Sequence, residues 1–269
     1  MADTETKRAR TSETHPLRLD FVDRAVHGTP GILGMTFAPG MKAESPNGRW
    51  ERDLDADLAE MQRAVNGPYW RSAGGGYRPV TLVCLMEDHE YREMGLEDLA
   101  WRSSGYGIQT LFYPIEDKRS PRIAERASML GRWGAGSEYL PYGALVVTIT
   151  DRLREGGAVV VHCRGGMGRT GVVAASVLVE LGHSQRGAIE RVREARTGTV
   201  ETDEQEEFVL AFTGHSRSHE VCRTLDQFGS RETASRDPML RCTTTSGRGP
   251  GLPLGGVPIE REYLRDLSG

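Results

Sequence analysis

The segment Val159–Gly171, VVVHCRGGMGRTG, constrains what this chain can fold into more than any other. An apolar run ends at His162 and Cys163 follows. A glycine-rich turn comes next, and Arg169-Thr170 opens a second apolar run. In order, these are a buried strand, a tight loop and a helix. Such a loop turns successive backbone N–H groups inward as a nest. The helix N-terminus adds unpaired N–H groups and the positive end of its dipole. Gly165, Gly166 and Gly168 permit the conformations this cradle needs. Arg169 can hold two oxygens of one anion with its planar fork. The same positive field favours the thiolate of Cys163. A thiolate beside a bound phosphate is a nucleophile aimed at phosphorus.

The Cys-to-Arg spacing says little by itself. Cys242 and Arg248 in CTTTSGR repeat it, but no apolar strand precedes them and Pro250 and Pro253 break any helix beyond. That copy is a coincidence of spacing.

Lys plus Arg is 34 and Asp plus Glu is 38, a net charge of −4. Nucleic-acid binders are usually basic, so no nucleic acid is expected as a partner and any anion site is built locally. The four cysteines, Cys84, Cys163, Cys222 and Cys242, include no C-x-x-C pair. Neither a disulfide scaffold nor a structural zinc site is expected, and no metal or other cofactor. The N-terminus MADTETKRARTSETHP lacks the apolar core of a secretory signal. The longest apolar stretches, near Ala144–Thr150 and Val172–Leu181, fall short of the ~18 residues of a membrane span. The expectation is a cytoplasmic protein with no membrane span. Nothing in the sequence speaks to oligomeric state.

Residues 1–16 are polar and expected to be disordered. From 17 to 213 strand-like and helix-like periods alternate. Leu17–Val22 alternates as a strand, and Gly31–Met35 reads as another short one. Pro79–Met86, Ile108–Ile115 and Ala158–Cys163 are continuous apolar runs, as in buried parallel strands. Trp50–Val65 places Leu54, Leu58, Met61 and Val65 on one helical face. Further helical patterns cover Tyr91–Trp101, Tyr139–Arg154, Thr170–Leu181, Gln185–Arg196 and Glu204–Thr213. This alternation implies an α/β domain over 17–213, with a mainly parallel central sheet flanked by helices. Gly74-Gly75-Gly76 reads as a loop, and Arg122–Pro141 as part of a rim above the site. Arg186, Arg191, Arg193 and Arg196 read as a solvated helix face. His89, among acids, reads as a surface residue rather than a metal ligand. Residues 214–269, rich in Ser, Thr, Arg, Gly and Pro, read as a low-complexity, mostly disordered tail.

HCRGGMGRTG resembles the H-C-x5-R-[S/T] signature of the cysteine-dependent protein tyrosine and dual-specificity phosphatases. Within that superfamily the chain is similar to the kinase-associated phosphatase type and its bacterial relatives. The similar segments are WERDLDADL, TLVCLMEDHEY, LFYPIEDKRSP, VVVHCRGGMGRTG and TGTVETDEQEEFV. The resemblance implies a phosphatase fold and a strand–phosphate loop–helix active site. Cys163 would be the nucleophile that forms a cysteinyl-phosphate. Arg164, Gly165, Gly166, Met167, Gly168 and Arg169 would bind phosphate, and Arg169 would also stabilise the transition state. Thr170 would help the sulfur leave, and His162 would support the loop. Asp117 in YPIEDKRSP aligns with the general acid, with adjacent Glu116 as runner-up. Gln205 matches a glutamine that positions water or substrate, although Glu201 replaces its usual companion; a helix-start residue is the alternative. Cys84 is either a buried thiol or a possible redox partner of Cys163.

The implied substrate is a phosphorylated protein, bearing phosphotyrosine, with phosphoserine or phosphothreonine as further candidates. A phosphoinositide or small-molecule phosphatase on the same site, or a phosphoprotein-binding pseudophosphatase, are the alternatives. Rhodanese-like sulfur transfer also uses a loop cysteine, but lacks the Arg-Thr ending and the upstream acid.

Overall fold

A computed structural model describes residues 9–45, 48–67, 77–121, 127–128 and 139–214. The glycine loop 74–76, much of the proposed rim 122–141, Cys222, Cys242 and the tail from 215 onward lie outside the described residues. Five strands form the main sheet in the order β1 (Asp20–Phe21), β2 (Ile32–Thr36), β9 (Ala158–His162), β5 (Val80–Cys84), β6 (Ile108–Phe112). β2, β9, β5 and β6 run parallel, and β1 is antiparallel at one edge. The mainly parallel α/β architecture read from the alternation is the one observed.

The sheet is buried on both faces, which explains why its strands read as continuous apolar runs. On one face Leu33, Met35, Val83, Val159 and Val161 pack beneath α5 (Tyr142–Arg154), α6 (Gly168–Glu180), α7 (Gln185–Ala195) and α8 (Asp203–Ala211). On the other, Ile32, Val80, Leu82, Cys84 and Val160 pack against α2 (Leu54–Asn66), α3 (Asp88–Glu93) and α4 (Leu99–Gly105). A short helix, α1 (Arg24–His27), follows β1. A hairpin of β3 (Lys42–Ser45) and β4 (Gly48–Glu51), and the short pair β7 (Ala127–Ser128) and β8 (Tyr139–Leu140), lie apart from the main sheet.

Three expectations change. Residues 9–16 are held rather than loose. Arg10 bridges to Trp50, and the His15 carbonyl accepts a 2.6 Å bond from the buried Arg52. Trp50 belongs to β4, not to the following helix, which starts only after the cap Asp53, whose side chain accepts from Ala56 N. Tyr91–Trp101 is two helices, because Gly95 adopts φ 63° and turns the chain between them.

The register places Thr36 and Cys84 both opposite His162, and Phe112 opposite Cys84. The four parallel strands therefore end together. The segments that follow them meet at this carboxyl edge, where open α/β sheets bind their ligands.

Candidate active site

β9 delivers His162 and then Cys163, which is 4% exposed. The loop bends back so that Gly166 N–H donates to Cys163 Sγ at 3.2 Å. Gly166 has φ 69°, and a Cβ there would lie 2.2 Å from the Thr36 carbonyl oxygen. Only glycine fits that turn against the end of β2. Two further bonds fix the loop. Ala38 N–H donates to the Arg164 carbonyl at 3.1 Å, and Arg196 Nη2 donates to the Gly165 carbonyl at 3.0 Å. Arg196 also grips Asp20 of β1 at 2.5 Å, and its side chain is only 13% exposed. It therefore does not belong to a solvated helix face. Arg186 and Arg191 are exposed, and Arg193 is partly buried against Glu206 and the Thr199 and Val200 carbonyls.

α6 begins at Gly168, with no side chain capping its N-terminus. Its dipole and free amides point back over the loop. Arg169 and Thr170 lie in its first turn, both buried. Arg169 Nε and Thr170 Oγ1 have no hydrogen-bond partner among the described residues. Buried donors beside a nest of amides suit an oxyanion.

The rest of the Arg169 guanidinium is held from two directions. Glu90 of α3 takes two bonds, Nη1 to Oε2 at 2.6 Å and Nη2 to Oε1 at 2.8 Å. The Ile115 carbonyl accepts a third at 2.9 Å. Burial opposes the arginine's charge, but the Glu90 bonds and the nearby Cys163, Glu90 and Asp117 charges outweigh it and hold its pKa above the ordinary value. Burial likewise opposes the Glu90 carboxylate, yet the Arg169 hydrogen bonds hold its pKa below the ordinary value. Glu90 was not among the residues singled out from the sequence. No local signal marks it, because the charge that explains a buried acid lies 79 residues away.

Asp117 and Glu116 part company. Both are exposed, but Asp117 Oδ1 lies 3.0 Å from Arg169 Nη2, while Glu116 lies 3.9 Å from Arg119. The loop that carries them leaves β6 through bonds from Tyr113 N–H to the Cys84 carbonyl and from Ile115 N–H to the Leu85 carbonyl.

The other singled-out residues sit as follows. His162 is fully buried, and its Nδ1–H donates to the Cys163 carbonyl at 3.2 Å. Burial lowers its pKa to about 4, so the ring is neutral and braces the loop backbone. Arg164 reaches outward to Glu93 at 3.4 Å. Met167 packs over Gly198. Gln205 is fully buried beneath Gly168, where a Cβ would meet its amide at 2.7 Å. Its Oε1 accepts from Glu201 N–H, and it completes a capping box with Thr202. That is the geometry of a helix-start residue. Cys84 packs on the face opposite Cys163, among Leu82 and Tyr91, and burial pushes its thiol pKa up. Both cysteines are buried free thiols, and the register sets Cys84 opposite His162, the residue before Cys163. His89 is exposed, and no group of three His, Cys, Asp or Glu suited to a metal occurs among the described residues. No described helix is long and apolar enough to cross a membrane.

A cysteine-bearing glycine loop, a buried arginine and an acid lie together at one sheet edge, and comparison with known families gives the class they fit. Residues 79–209 match the model described as PTP-SAK, Swiss Army Knife protein, DSP-PTPase phosphatase domain. That segment, from β5 into α8, resembles a dual-specificity phosphatase domain in sequence. Among curated proteins it is similar to cyclin-dependent kinase inhibitor 3 of Sus scrofa, 25% identical over 228 residues, with 83% of this chain and 88% of that protein covered. The Homo sapiens protein is 24% identical over 228 residues, with the same coverage. Among solved structures, kinase associated phosphatase with its catalytic-site cysteine changed to serine superposes with a TM-score of 0.54 at 23% identity. That match covers 72% of this chain and 92% of the other, and it shows the common fold.

Proposed function

We propose that the chain is a protein phosphatase that hydrolyses phosphomonoesters through a cysteinyl-phosphate on Cys163. The observation that carries this reading is the 3.0 Å approach of Asp117 to Arg169, above a buried thiol that already accepts a loop amide. An acid from the loop after β6 and an arginine from the first turn of α6 are thereby brought to one point.

In the first displacement the Cys163 thiolate attacks phosphorus. The S–P bond forms as the ester P–O bond breaks, and protonated Asp117 gives its proton to the departing oxygen. The phosphoryl oxygens lie against the loop amides and the free Nε–H of Arg169, where the charge of the transition state spreads. In the second displacement water attacks phosphorus and passes a proton to the Asp117 carboxylate. The S–P bond breaks, the Thr170 hydroxyl donates to the returning thiolate, and inorganic phosphate leaves. Phosphotyrosine, and with it phosphoserine or phosphothreonine, is the substrate class this reading assigns.

The test is hydrolysis of p-nitrophenyl phosphate with EDTA present, wild type beside Cys163→Ser. Turnover that survives EDTA and vanishes in the variant supports the thiol mechanism. Turnover by the variant near the wild-type rate would remove Cys163 as nucleophile. Absence of turnover in reduced, folded wild type would favour a binding module.

A further inference from the structure

Asp117 is carried on a loop, and the loop has to be kept at the site. The three residues after it are each gripped by the first turn of α8. Glu204 Oε2 accepts from Arg119 Nη1 at 2.8 Å. Its other oxygen accepts twice from Ser120, from the backbone N–H and from the hydroxyl, each at 3.1 Å. Thr202 Oγ1 donates to the Lys118 carbonyl at 3.3 Å, and Gln205 Nε2 donates to the Arg119 carbonyl at 3.2 Å. Lys118 itself sits at φ 61°, a left-handed conformation that a lysine adopts only when its surroundings impose it.

An isolated exposed ion pair contributes little, and both Arg119 and Glu204 are half exposed. What sets Glu204 apart is convergence. One carboxylate takes three donors from the two residues that end the acid turn. Losing it removes the acceptor of Ser120 N–H and the 2.8 Å partner of Arg119 together, close to Asp117.

We propose that Glu204 is a positioning residue that latches the acid loop where Asp117 meets Arg169. It touches no substrate and acts through Arg119 and Ser120. The proposal rests on the reading of Asp117 as general acid. Gln205 and Thr202 hold backbone carbonyls from below, so the turn stays attached to α8 when the latch is cut but is no longer fixed on the side of Asp117. Asp117 then spends less time within reach of the leaving oxygen, and only chemistry that needs its proton suffers.

The experiment compares full-length wild type, Glu204→Ala, Glu204→Gln, Arg119→Ala, Asp117→Asn and the Glu204→Ala/Asp117→Asn double variant. Each is assayed on phenyl phosphate, a poor leaving group, and on p-nitrophenyl phosphate, a good one. Glu204→Ala is expected to lower kcat/KM on phenyl phosphate by about five- to tenfold, with about a twofold effect or less on p-nitrophenyl phosphate. Arg119→Ala shows the same pattern. Glu204→Gln, which still accepts from Ser120, recovers part of the loss. In the Asp117→Asn background Glu204→Ala costs nothing further. Equal losses on both substrates, or an additional loss in the double variant, would overturn the latch. So would wild-type kinetics for Glu204→Ala while Asp117→Asn retains its dependence on leaving group, and the acid assignment would then stand alone. If Asp117→Asn itself shows no such dependence, the acid reading fails first and the latch falls with it.

Discussion

Glu90 and Arg169 share two hydrogen bonds, of 2.6 and 2.8 Å, with both side chains almost fully buried. The pair joins the helix after β5 to the helix after β9. Glu90 also accepts from Glu87 N–H at 2.9 Å, so the carboxylate is itself held. It keeps two guanidinium nitrogens occupied and leaves Nε turned to the site.

Removing one member of a buried ion pair strands the other. Glu90→Ala is expected to cost about 3–5 kcal/mol of unfolding free energy. Urea unfolding measures it, and a loss below about 1 kcal/mol would mean the pair is not buried in solution as it is here. Activity falls together with stability, because Arg169 then has several directions to point.

Asp117→Asn should lower kcat/KM about 10²–10⁴-fold for esters with poor leaving groups and much less for p-nitrophenyl phosphate. A plot of log kcat/KM against leaving-group pKa gives the answer as a slope. An unchanged slope would move the proton to another group, with Glu116 next in sequence although it faces Arg119.

Gly166→Ala forces a Cβ to within 2.2 Å of the Thr36 carbonyl at a φ of 69°. The backbone there cannot give way, so stability drops by more than the ~1 kcal/mol typical of a glycine exchange. At Gly165 the nearest neighbour to an added Cβ is the Met167 side chain at 4.0 Å, and Gly165→Ala should unfold at the wild-type denaturant concentration. Similar midpoints for the two variants would contradict the loop conformation.

The buried His162 makes stability depend on pH. Its folded-state pKa is lowered to about 4 from 6.5, chiefly by burial. As pH falls, the unfolded chain takes up the proton first. The contribution is complete above pH 6.5 and is lost as pH falls towards about 4, on the order of 3 kcal/mol in all. His27, lowered to about 4 by burial and then by Arg24, adds in the same direction. Unfolding free energies at pH 7.5 and 5 should differ less for His162→Gln than for wild type. Equal pH slopes would place the ring in water.

Much of this was legible because pattern and chemistry coincided. The run ending at His162 reads as a strand whether judged by burial or by the glycines after it. The helix from Arg169 needs no cap to be recognised, since its apolar run is long. The β3–β4 hairpin was hidden because the face of Leu54, Leu58, Met61 and Val65 extends by the same period to Trp50. Only the Asp53 cap decides where the helix begins. Glu90 was hidden for a different reason. Its partner lies 79 residues away, and a buried acid is explained only by the charge that meets it. Arg196 looked like one more surface arginine for the same reason, its acceptors being on β1 and in the loop.

The strap from Asp20 through Arg196 to the Gly165 carbonyl has a consequence for selectivity. With the Arg164 carbonyl tied to Ala38 and Gly166 wedged on Thr36, the cradle does not have to freeze when its anion arrives. The amides are aimed in advance, so reorganisation is small and phosphoryl recognition is nearly the same for every ester. Discrimination between substrates is then left to what lies beyond phosphorus, the surfaces that meet the leaving group and the chain that bears it.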